Sequence, residues 1–378
     1  MTSLLSAADH CQLLRSIELA EAAIGLSEPN PRVGCVLHDA HGRLVGDGHT
    51  QHAGGPHAEV MALRAAQSAG ADLRGGTAWV SLEPCAHHGR TPPCAEALVA
   101  AGIARVVVAL QDPYPQVAGR GIALLRAAGV QVDLAEPGPV TQAAQALNIG
   151  FLSRVQRGRP WVRMKLAASL DGRTALPDGS SQWITGPAAR ADGQAWRRRA
   201  SAVLTGIGTV RDDDPRLDVR EWPIARQPRR VILDSGFATP ATARILTPPG
   251  DVLVVGAAEN DSARQALHAV GARTLRLPAP DGRVDLPALL QRLAEEGVNE
   301  LHIEAGATLN GAWLAADLVD ELLLYLAPKL LGPGRDLAAM PVLAQLAQAR
   351  PWRFIESSLV QDDLRVRLRR EGRDDFLR

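Results

Sequence analysis

The stretch from His57 to Cys94 sets the tightest constraint on how this chain can fold. It opens Gly55-Pro56-His57-Ala58-Glu59 and closes Glu83-Pro84-Cys85 … Pro92-Pro93-Cys94, with one helical and one strand-like segment between. One His and two Cys can hold a catalytic zinc with three protein ligands, leaving the fourth position for water. The fold must then bring a helix start, a strand end and a second helix start to one point. Glu59 lies two residues after the His, just inside the same helix, near enough to face the site without ligating it. Bound zinc lowers the pKa of its water to about 7. A carboxylate beside it can take the water's proton and pass it on. Cys85 directly follows the strand-like Thr77-Ala78-Trp79-Val80-Ser81-Leu82, and Cys94 opens a helix through Val99. Near helix N-termini the dipole favours a thiolate.

The pattern H-x-E … P-C resembles that of the zinc-dependent nucleobase deaminases. One feature departs from it. The usual second half is P-C-x-x-C, whereas here Ala86-His87-His88-Gly89-Arg90-Thr91-Pro92-Pro93 separates the cysteines. That insert is polar, with a Gly and two prolines, and reads as a loop lengthening the site wall. The bland alternative, two unrelated buried cysteines and a surface His, leaves the Glu59 spacing and the strand and helix placement unexplained.

At 378 residues the chain is too long for one ordinary domain. Hydrophobic content of 46% with 22% charged residues is globular. Zero net charge gives no electrostatic footprint for nucleic acid, and 3% aromatic content offers few stacking platforms. Both point to a free small molecule as substrate. Four cysteines, two of them assigned to zinc, imply no disulfide framework and a reducing, cytoplasmic compartment. Cys11 and Cys35 are expected as core filler. The N-terminal helix carries Asp9, Glu18 and Glu21 and is not a leader. No apolar run reaches the ~18 residues of a membrane span.

In the first half, apolar residues recur at helical spacing from Ser6 to Leu26, and Ser27-Glu28-Pro29-Asn30-Pro31 stops the helix. Val33–His38 and Arg43–Gly46 form a hairpin, followed by a loop and the helix from His57 to about Ala69. After the Cys85–Cys94 loop come the strand Arg105–Leu110, a Gly-rich loop, a helix to Ala128 and the strand Val130–Leu134. Alternating strands and helices with short connections predict a three-layer α/β/α sandwich. Its zinc site would lie where helix N-termini meet strand ends.

A helix from Val140 to about Arg154 leads to the basic Arg157-Gly158-Arg159-Pro160. The linker is set at residues 155–160, between domains of residues 1–154 and 161–378. Strands follow at Trp161–Leu166, Ala200–Leu204, Val231–Leu233, Val252–Val255 and Leu301–Ile303, separated by helical stretches. Glu321–Leu326, Trp352–Ile355 and Leu364–Arg370 read as late, partly antiparallel strands. Two turns could hold a phosphate-rich cofactor: Leu204-Thr205-Gly206-Ile207-Gly208-Thr209-Val210, and the run from Ile303 to Ala312. Glycine lets backbone N–H groups approach an anion at a helix N-terminus. Neither is the dinucleotide fingerprint, and on pattern alone each serves equally as a plain tight turn.

Several runs resemble one family, the bifunctional riboflavin-biosynthesis pyrimidine deaminase/reductases. They are Pro29-Asn30-Pro31-Arg32-Val33-Gly34-Cys35-Val36, His57-Ala58-Glu59-Val60, Ser81 through Cys94, and Gln111-Asp112-Pro113 … Val117-Ala118-Gly119-Arg120-Gly121. In the second half, Lys165 to Ala175, Ser181-Gln182-Trp183-Ile184-Thr185, Asp213-Asp214-Pro215 and Ala327 to Gly332 are similar to the family's reductase half. The long Cys-to-Cys loop is normal in that family. The resemblance implies a cytidine-deaminase-like α/β/α sandwich, then a dihydrofolate-reductase-like α/β domain.

By resemblance, His57, Cys85 and Cys94 would hold zinc, Glu59 would move protons, and Asn30 and His49 would line the base pocket. The His88–Arg90 loop would approach the ribose phosphate. Ala167, Trp183, Thr209, Asp213, Ser235 and the turn Gly306, Ala307, Thr308, Leu309, Asn310, Gly311 and Ala312 would contact NADPH. Ser181, Arg197, Leu217, Arg220 and Glu304 would contact substrate. Guanidinium groups at Arg197 and Arg220 suit a phosphate. A solvated helix face for Arg197 and core filler for Trp183 are the plain alternatives, as solvated loop histidines are for His49 and His88. Lys165 or Asp171 are candidates for acid/base help. The implied chemistry is deamination of 2,5-diamino-6-ribosylamino-4(3H)-pyrimidinone 5′-phosphate, then NADPH-dependent reduction of the ribosyl to the ribityl side chain. The enzyme is expected to pair through its reductase domain. The rival is a single-function deaminase with a non-catalytic, oligomerising C-terminal domain.

Overall fold

A computed structural model describes residues 5–86, 93–114 and 117–377. Its chain divides into two compact units, Met1–Arg157 and Gly158–Arg378. The first begins with α1 (Ala7–Ala20), which Ser6 and Asp9 close with a reciprocal capping box. The strands β1 (Gly34–His38) and β2 (Leu44–His49) form the hairpin, and α2 (Ala58–Ser68) follows. Then come β3 (Thr77–Val80), α3 (Cys94–Ala100), β4 (Arg105–Val108), α4 (Arg120–Ala127), β5 (Gln131–Leu134), α5 (Pro139–Leu147) and α6 (Ile149–Arg157).

The strands lie in the order β2-β1-β3-β4-β5. β1 is antiparallel to both neighbours, and β3, β4 and β5 run parallel. Helices α1 and α5 cover one face, through Leu13, Ile17, Val140 and Ala144 packed on Val36 and Val107. Helix α2 lies against the hairpin, α3 beside α2 and α4 beside α3. Gly46 and Gly48 set the spacing of α2. A β carbon on Gly46 would stand 2.3 Å from the Ala62 carbonyl oxygen, and one on Gly48 2.6 Å from the Met61 β carbon. Only hydrogen fits there, so α2 sits down on β2 and its first residues reach the ends of the strands. The expected sandwich is present.

The second unit contains β6 (Trp161–Ser169), β7 (Arg173–Ala175), α7 (Pro187–Arg199), β8 (Ala202–Gly206), α8 (Ile207–Asp213), β9 (Arg229–Leu233) and β10 (Val252–Gly256). It continues with α9 (Asp261–Ala269), β11 (Arg273–Arg276), α10 (Leu286–Glu295), β12 (Glu300–Ile303), α11 (Ala307–Ala315), β13 (Glu321–Ala327), β14 (Arg335–Asp336), β15 (Trp352–Val360) and β16 (Asp363–Arg370). Nine strands make one sheet, β11-β10-β9-β8-β12-β6-β13-β16-β15. It is parallel from β11 to β13, and β16 and β15 close it antiparallel. Every residue of β9 and β10 is buried, as befits parallel strands covered on both faces. From β8 the chain proceeds outward to β11, whereas β12 leads to β13 on the far side of β6. The carboxyl ends of β8, β12 and β6 are therefore the switch point, where open α/β sheets bind ligands.

Some expectations need correcting. The single helix from Val140 breaks at Asn148 into α5 and α6, and α6 runs through Arg157. Residues 155–157 of the expected linker are thus helical. The short strands β7, β11 and β14 carry too few alternating residues to stand out in sequence. Cys35 is buried as expected, but Cys11 is exposed on α1 and fills no core. No helix among the described residues is long and apolar enough to cross a membrane.

Candidate active sites

Three chain segments converge at the carboxyl end of β3. His57 is the N-cap residue of α2, Cys85 follows β3, and Cys94 begins α3. His57 Nδ1 lies 3.6 Å from Cys85 Sγ and 3.4 Å from Cys94 Sγ. All three donor atoms fall within 4.8 Å of one another. Metal–ligand distances of about 2.3 Å for sulfur and about 2.0–2.1 Å for nitrogen put neighbouring donors on a tetrahedral zinc roughly 3.6 Å apart. The spacing and chemistry of this donor set fit zinc. Cys85 also accepts the Cys94 backbone N–H at 3.3 Å. Its thiol titrates well below the ordinary value because the Cys94 thiol and His57 stabilise the thiolate, the ionisation a metal ligand needs.

Glu59 is 3% exposed in the first turn of α2. Burial pushes its carboxyl up to about 7, the Cys85 thiolate adds to the rise, and His57 opposes it. A carboxyl poised near neutral pH is suited to both accepting and returning a proton.

The support beneath Cys85 was not evident from spacing. The buried Glu83 carboxylate accepts four backbone N–H groups: Gly121 at 2.9 Å, Gly119 at 3.0 Å, Ile122 at 3.1 Å and Asp112 at 3.3 Å. It thereby ties the strand end carrying Cys85 to the start of α4. Asp112 is a second buried carboxyl in this corner, raised to about 6 by burial with Glu83 and Cys85 nearby. Its place after β4, in Gln111-Asp112-Pro113, was the available signal.

Asn30 and His49 lie at this same end of the sheet. His49 ends β2 opposite Gly34, and the antiparallel β1–β3 pairing places the start of β1 beside the end of β3. Asn30 is half-buried in a turn closed by its N–H to the Ser27 carbonyl at 2.9 Å. His49 is half-buried too, and burial lowers its pKa. The His88–Arg90 loop lies outside the described residues.

In the second unit the two glycine turns lie against each other at the switch point. A β carbon on Gly206 would stand 3.0 Å from Leu309, and one on Gly306 3.8 Å from Thr209 Oγ1. Helix α11 starts at Gly306 with no side-chain cap, so its N-terminus can receive an anionic cofactor group. Asn310 and Gly311 point the other way. Asn310 Nδ2 donates to the Ala305 and Leu337 carbonyls at 3.0 and 3.1 Å, and Gly311 lies under the Ala339 backbone. They hold the turn while Gly306 and Thr308 stay exposed. Ala167 is half-buried on β6 opposite Tyr325. Asp213 ends α8, and the Ser235 carbonyl accepts the N–H groups of Ala257 and Ala258.

Arg197 joins Glu304 to Asp218, which also holds Arg220, whereas Leu217 is buried in an apolar cluster with Val210, Ile232 and Phe237. Arg197 grips the Glu304 carboxylate with two nitrogens, Nη2 at 3.0 Å, and donates to the Asp218 carbonyl at 3.2 Å. Asp218, next to Leu217, is buried and accepts Arg220 and Arg216, each at 2.7 Å. Arg197 is therefore no solvated face residue. Lys165 is half-buried with Glu304 and Arg197 as its charged neighbours. Asp171 is held as a carboxylate. Its carboxylate accepts the Ser169 hydroxyl and the N–H groups of Leu331 and Gly332, which hold its pKa down at about 2.

Trp183 is 64% exposed with the Arg190 guanidinium over its ring at 4.4 Å, so it is not core filler. Lys329 donates to the Trp183 and Ile184 carbonyls. Among the described residues no hydrogen bond joins Ser181 or Trp183 to the Arg197–Glu304 group.

Comparison with known proteins fits both halves. Residues 8–110 match the cytidine and deoxycytidylate deaminase zinc-binding region, and residues 160–362 match the RibD C-terminal domain. The riboflavin biosynthesis protein RibD of Escherichia coli (strain K12) is 44% identical over 95% of this chain and 99% of its own length. The chain belongs to the RibD family. The RibD of Haemophilus influenzae is 42% identical over 96% of this chain and 97% of its own. Among solved structures, Acinetobacter baumannii RibD superposes with a TM-score of 0.86 at 43% identity, covering 96% of this chain and 99% of that one. A Thermotoga maritima protein described as a diaminohydroxyphosphoribosylaminopyrimidine deaminase/5-amino-6-(5-phosphoribosylamino)uracil reductase gives 0.83 at 31% identity, over 96% and 98% of the two chains. Like the rest of the RibD family, the chain is a bifunctional deaminase/reductase of riboflavin biosynthesis, with a zinc deaminase domain, an NADPH-dependent reductase domain and small-molecule substrates. The rival reading, a deaminase with an inert second half, is not favoured.

Proposed function

We propose that the first unit deaminates 2,5-diamino-6-ribosylamino-4(3H)-pyrimidinone 5′-phosphate and that the second then reduces the ribosyl group of the product. The observation that carries this is the convergence of His57, Cys85 and Cys94 with the buried carboxyl of Glu59 beside them. Zinc held by those three donors would supply the Lewis acidity that makes water nucleophilic at neutral pH. Glu59 would pass one proton from the attacking water to the ring nitrogen and then carry the second, from the new C–OH, to the departing amino group, so that ammonia leaves and a carbonyl remains. Asn30 and His49 orient the base from the hairpin end.

In the second unit NADPH would supply a hydride to the sugar C1′, seated on Gly306 and Thr308 with Ala167, Trp183, Thr209, Asp213 and Ser235 around it. Reduction also consumes a proton, and Lys165 is placed to donate it. Arg197 holds Glu304 toward the sugar, Leu217 and Ser181 line the substrate site, and Arg220 takes the phosphate. We assign the protein to the cytoplasm, whose reducing conditions suit Cys11 and Cys35, the two cysteines outside the metal site. A second copy is the partner we assign to the outer edge of β15, where Phe354 and Leu359 are 71% and 74% exposed on an unpaired edge strand. Light scattering of wild type and Phe354→Lys tests this, and a monomeric wild type rules it out.

The deciding experiment follows NADPH oxidation started with the deaminase substrate, for wild type and Glu59→Ala. Wild type should oxidise NADPH, the variant should not, and supplying 5-amino-6-(5-phosphoribosylamino)uracil should restore the variant. Equal oxidation by the variant on the original substrate would overturn the order of the two reactions.

A further inference from the structure

The two family matches stop at residue 110 and resume at residue 160. The chain between them carries α5 and α6, and these helices hold the loop in which Asn30 sits. Asn148, at their junction, is 3% exposed. Its Oδ1 accepts the Arg32 N–H at 2.8 Å and its Nδ2 donates to the Arg32 carbonyl at 2.8 Å. One side chain thus clamps both polar groups of a single backbone residue. The Arg32 guanidinium, also 3% exposed, donates to the Leu147 carbonyl at 3.0 Å and pairs with Glu28 at 3.1 Å. From α6, Arg154 donates to the Pro29 carbonyl at 3.3 Å. Glu28 and Tyr114 lie within electrostatic reach of that guanidinium. Backbone on both sides of Asn30, at Pro29 and at Arg32, is therefore pinned to residues more than a hundred positions away.

We propose that Asn148 and Arg154 are positioning residues for the deaminase, through which α5 and α6 fix Asn30 at the base pocket. The proposal rests on the reading of Asn30 as a base-pocket residue. Helix α5 is already seated by Val140, Ala144 and Leu147 in the apolar core. In α6, Ile149, Phe151 and Leu152 are buried as well, so both helices have apolar anchors apart from the polar clamps. What the clamps determine is the path of residues 28–32. Buried hydrogen bonds between fixed partners admit little variation in geometry, and a displacement of about 1 Å in a substrate-orienting group can cost on the order of 100-fold in rate.

The test uses the full-length, zinc-loaded enzyme with Asn148→Leu, Arg154→Met, Arg154→Lys, Asn30→Ala and the pairwise combinations with Asn30→Ala. Ammonia release is measured against concentration of the deaminase substrate. NADPH oxidation on 5-amino-6-(5-phosphoribosylamino)uracil, zinc content and melting temperature are measured alongside. Asn148→Leu and Arg154→Met should each lower deaminase kcat/KM by about 10- to 100-fold, with zinc content and the reductase unchanged. Arg154→Lys should regain most of the loss. Once Asn30 is Ala, neither substitution should lower kcat/KM much further, because their effect passes through that side chain. Multiplicative losses, or unchanged deamination in Arg154→Met, would overturn the positioning role while leaving Asn30 in place. A silent Asn30→Ala would instead remove the base-pocket reading, and the proposal with it. Should Asn148→Leu fail to fold, Arg154→Met carries the test alone.

Discussion

The Glu83 carboxylate accepts the Gly121 N–H at 2.9 Å, and a β carbon on Gly121 would stand 1.9 Å from the oxygen of Pro84, the residue joining Glu83 to Cys85. The start of α4 and the strand end that carries a metal ligand are thus locked in direct contact. Glu83→Ala leaves four backbone donors without their acceptor, each a penalty of about 1–3 kcal/mol where water cannot replace it. Gly121→Ala forces Pro84 or the helix to move. Both substitutions should weaken zinc binding by roughly 10-fold or more, in line with the loss of groups that orient metal ligands. Competition with a chromogenic chelator reads this directly, and the reductase activity should not change.

Removing the metal should separate the two activities. Cys85→Ser or Cys94→Ser, or dialysis of wild type against a chelator, is expected to abolish ammonia release and lower the melting temperature of the first unit. A bound structural metal contributes to folding as well as to chemistry. NADPH oxidation started with the deaminated substrate should continue at the wild-type rate. Zinc, added back to dialysed wild type, should restore deamination in proportion to occupancy measured by mass spectrometry.

The zinc centre was legible because its ligands lie in one stretch and each sits at an element boundary that periodicity reveals: His57 at a helix start, Cys85 after a strand. The longer strands of both units were legible for the same reason, and the short β7, β11 and β14 were not. What sequence could not supply were pairings across long separations. Arg197 meets Glu304 from 107 positions away, and nothing local to either residue announces the partner. Glu83 appeared as part of a motif, but its four N–H donors come from a loop and helix start that only the fold brings to it. Asn148 reads as one more polar residue in a helix until Arg32 is seen opposite. The N–H groups that keep Asp171 ionised were equally hidden, because Leu331 and Gly332 reach it from 160 and 161 positions away.

The Arg197–Glu304 pair should behave as a unit. Burial pushes the Glu304 carboxyl up, yet Arg197, Lys165 and His302 hold it well below the usual carboxylate range. Lysine lacks the planar fork that grips both carboxylate oxygens. Arg197→Lys and Glu304→Gln are each expected to lower reductase kcat/KM by about 10- to 100-fold, and the double variant should lose much less than the product. A coupling energy of about 0.5–3 kcal/mol is the expected range for groups in one network. Ammonia release should be unaffected in all three.

His302 gives the second unit a distinctive acid sensitivity. Its ring is fully buried on β12, with neither nitrogen hydrogen-bonded among the described residues and Nε2 3.6 Å from Glu304. Burial lowers its pKa to about 3. Glu304 pulls the other way, and Arg163, Arg197 and Lys165 add to the fall. In the unfolded chain a histidine titrates near 6.5. Between those values the unfolded state binds a proton that the folded state refuses. Stability is therefore intact above about 6.5 and falls as pH drops toward 3, by about 1.4 kcal/mol per pH unit for one proton. Replacing the ring by a group that cannot titrate removes this contribution. Urea unfolding of the full-length enzyme at pH 6.5, 5.5 and 4.5, followed by loss of NADPH binding, should show a shallower pH dependence for His302→Leu than for wild type. Parallel slopes would mean that the histidine takes up its proton without unfolding, by drawing Glu304 away from Arg197. In that case reductase activity, rather than stability, would carry the acid transition.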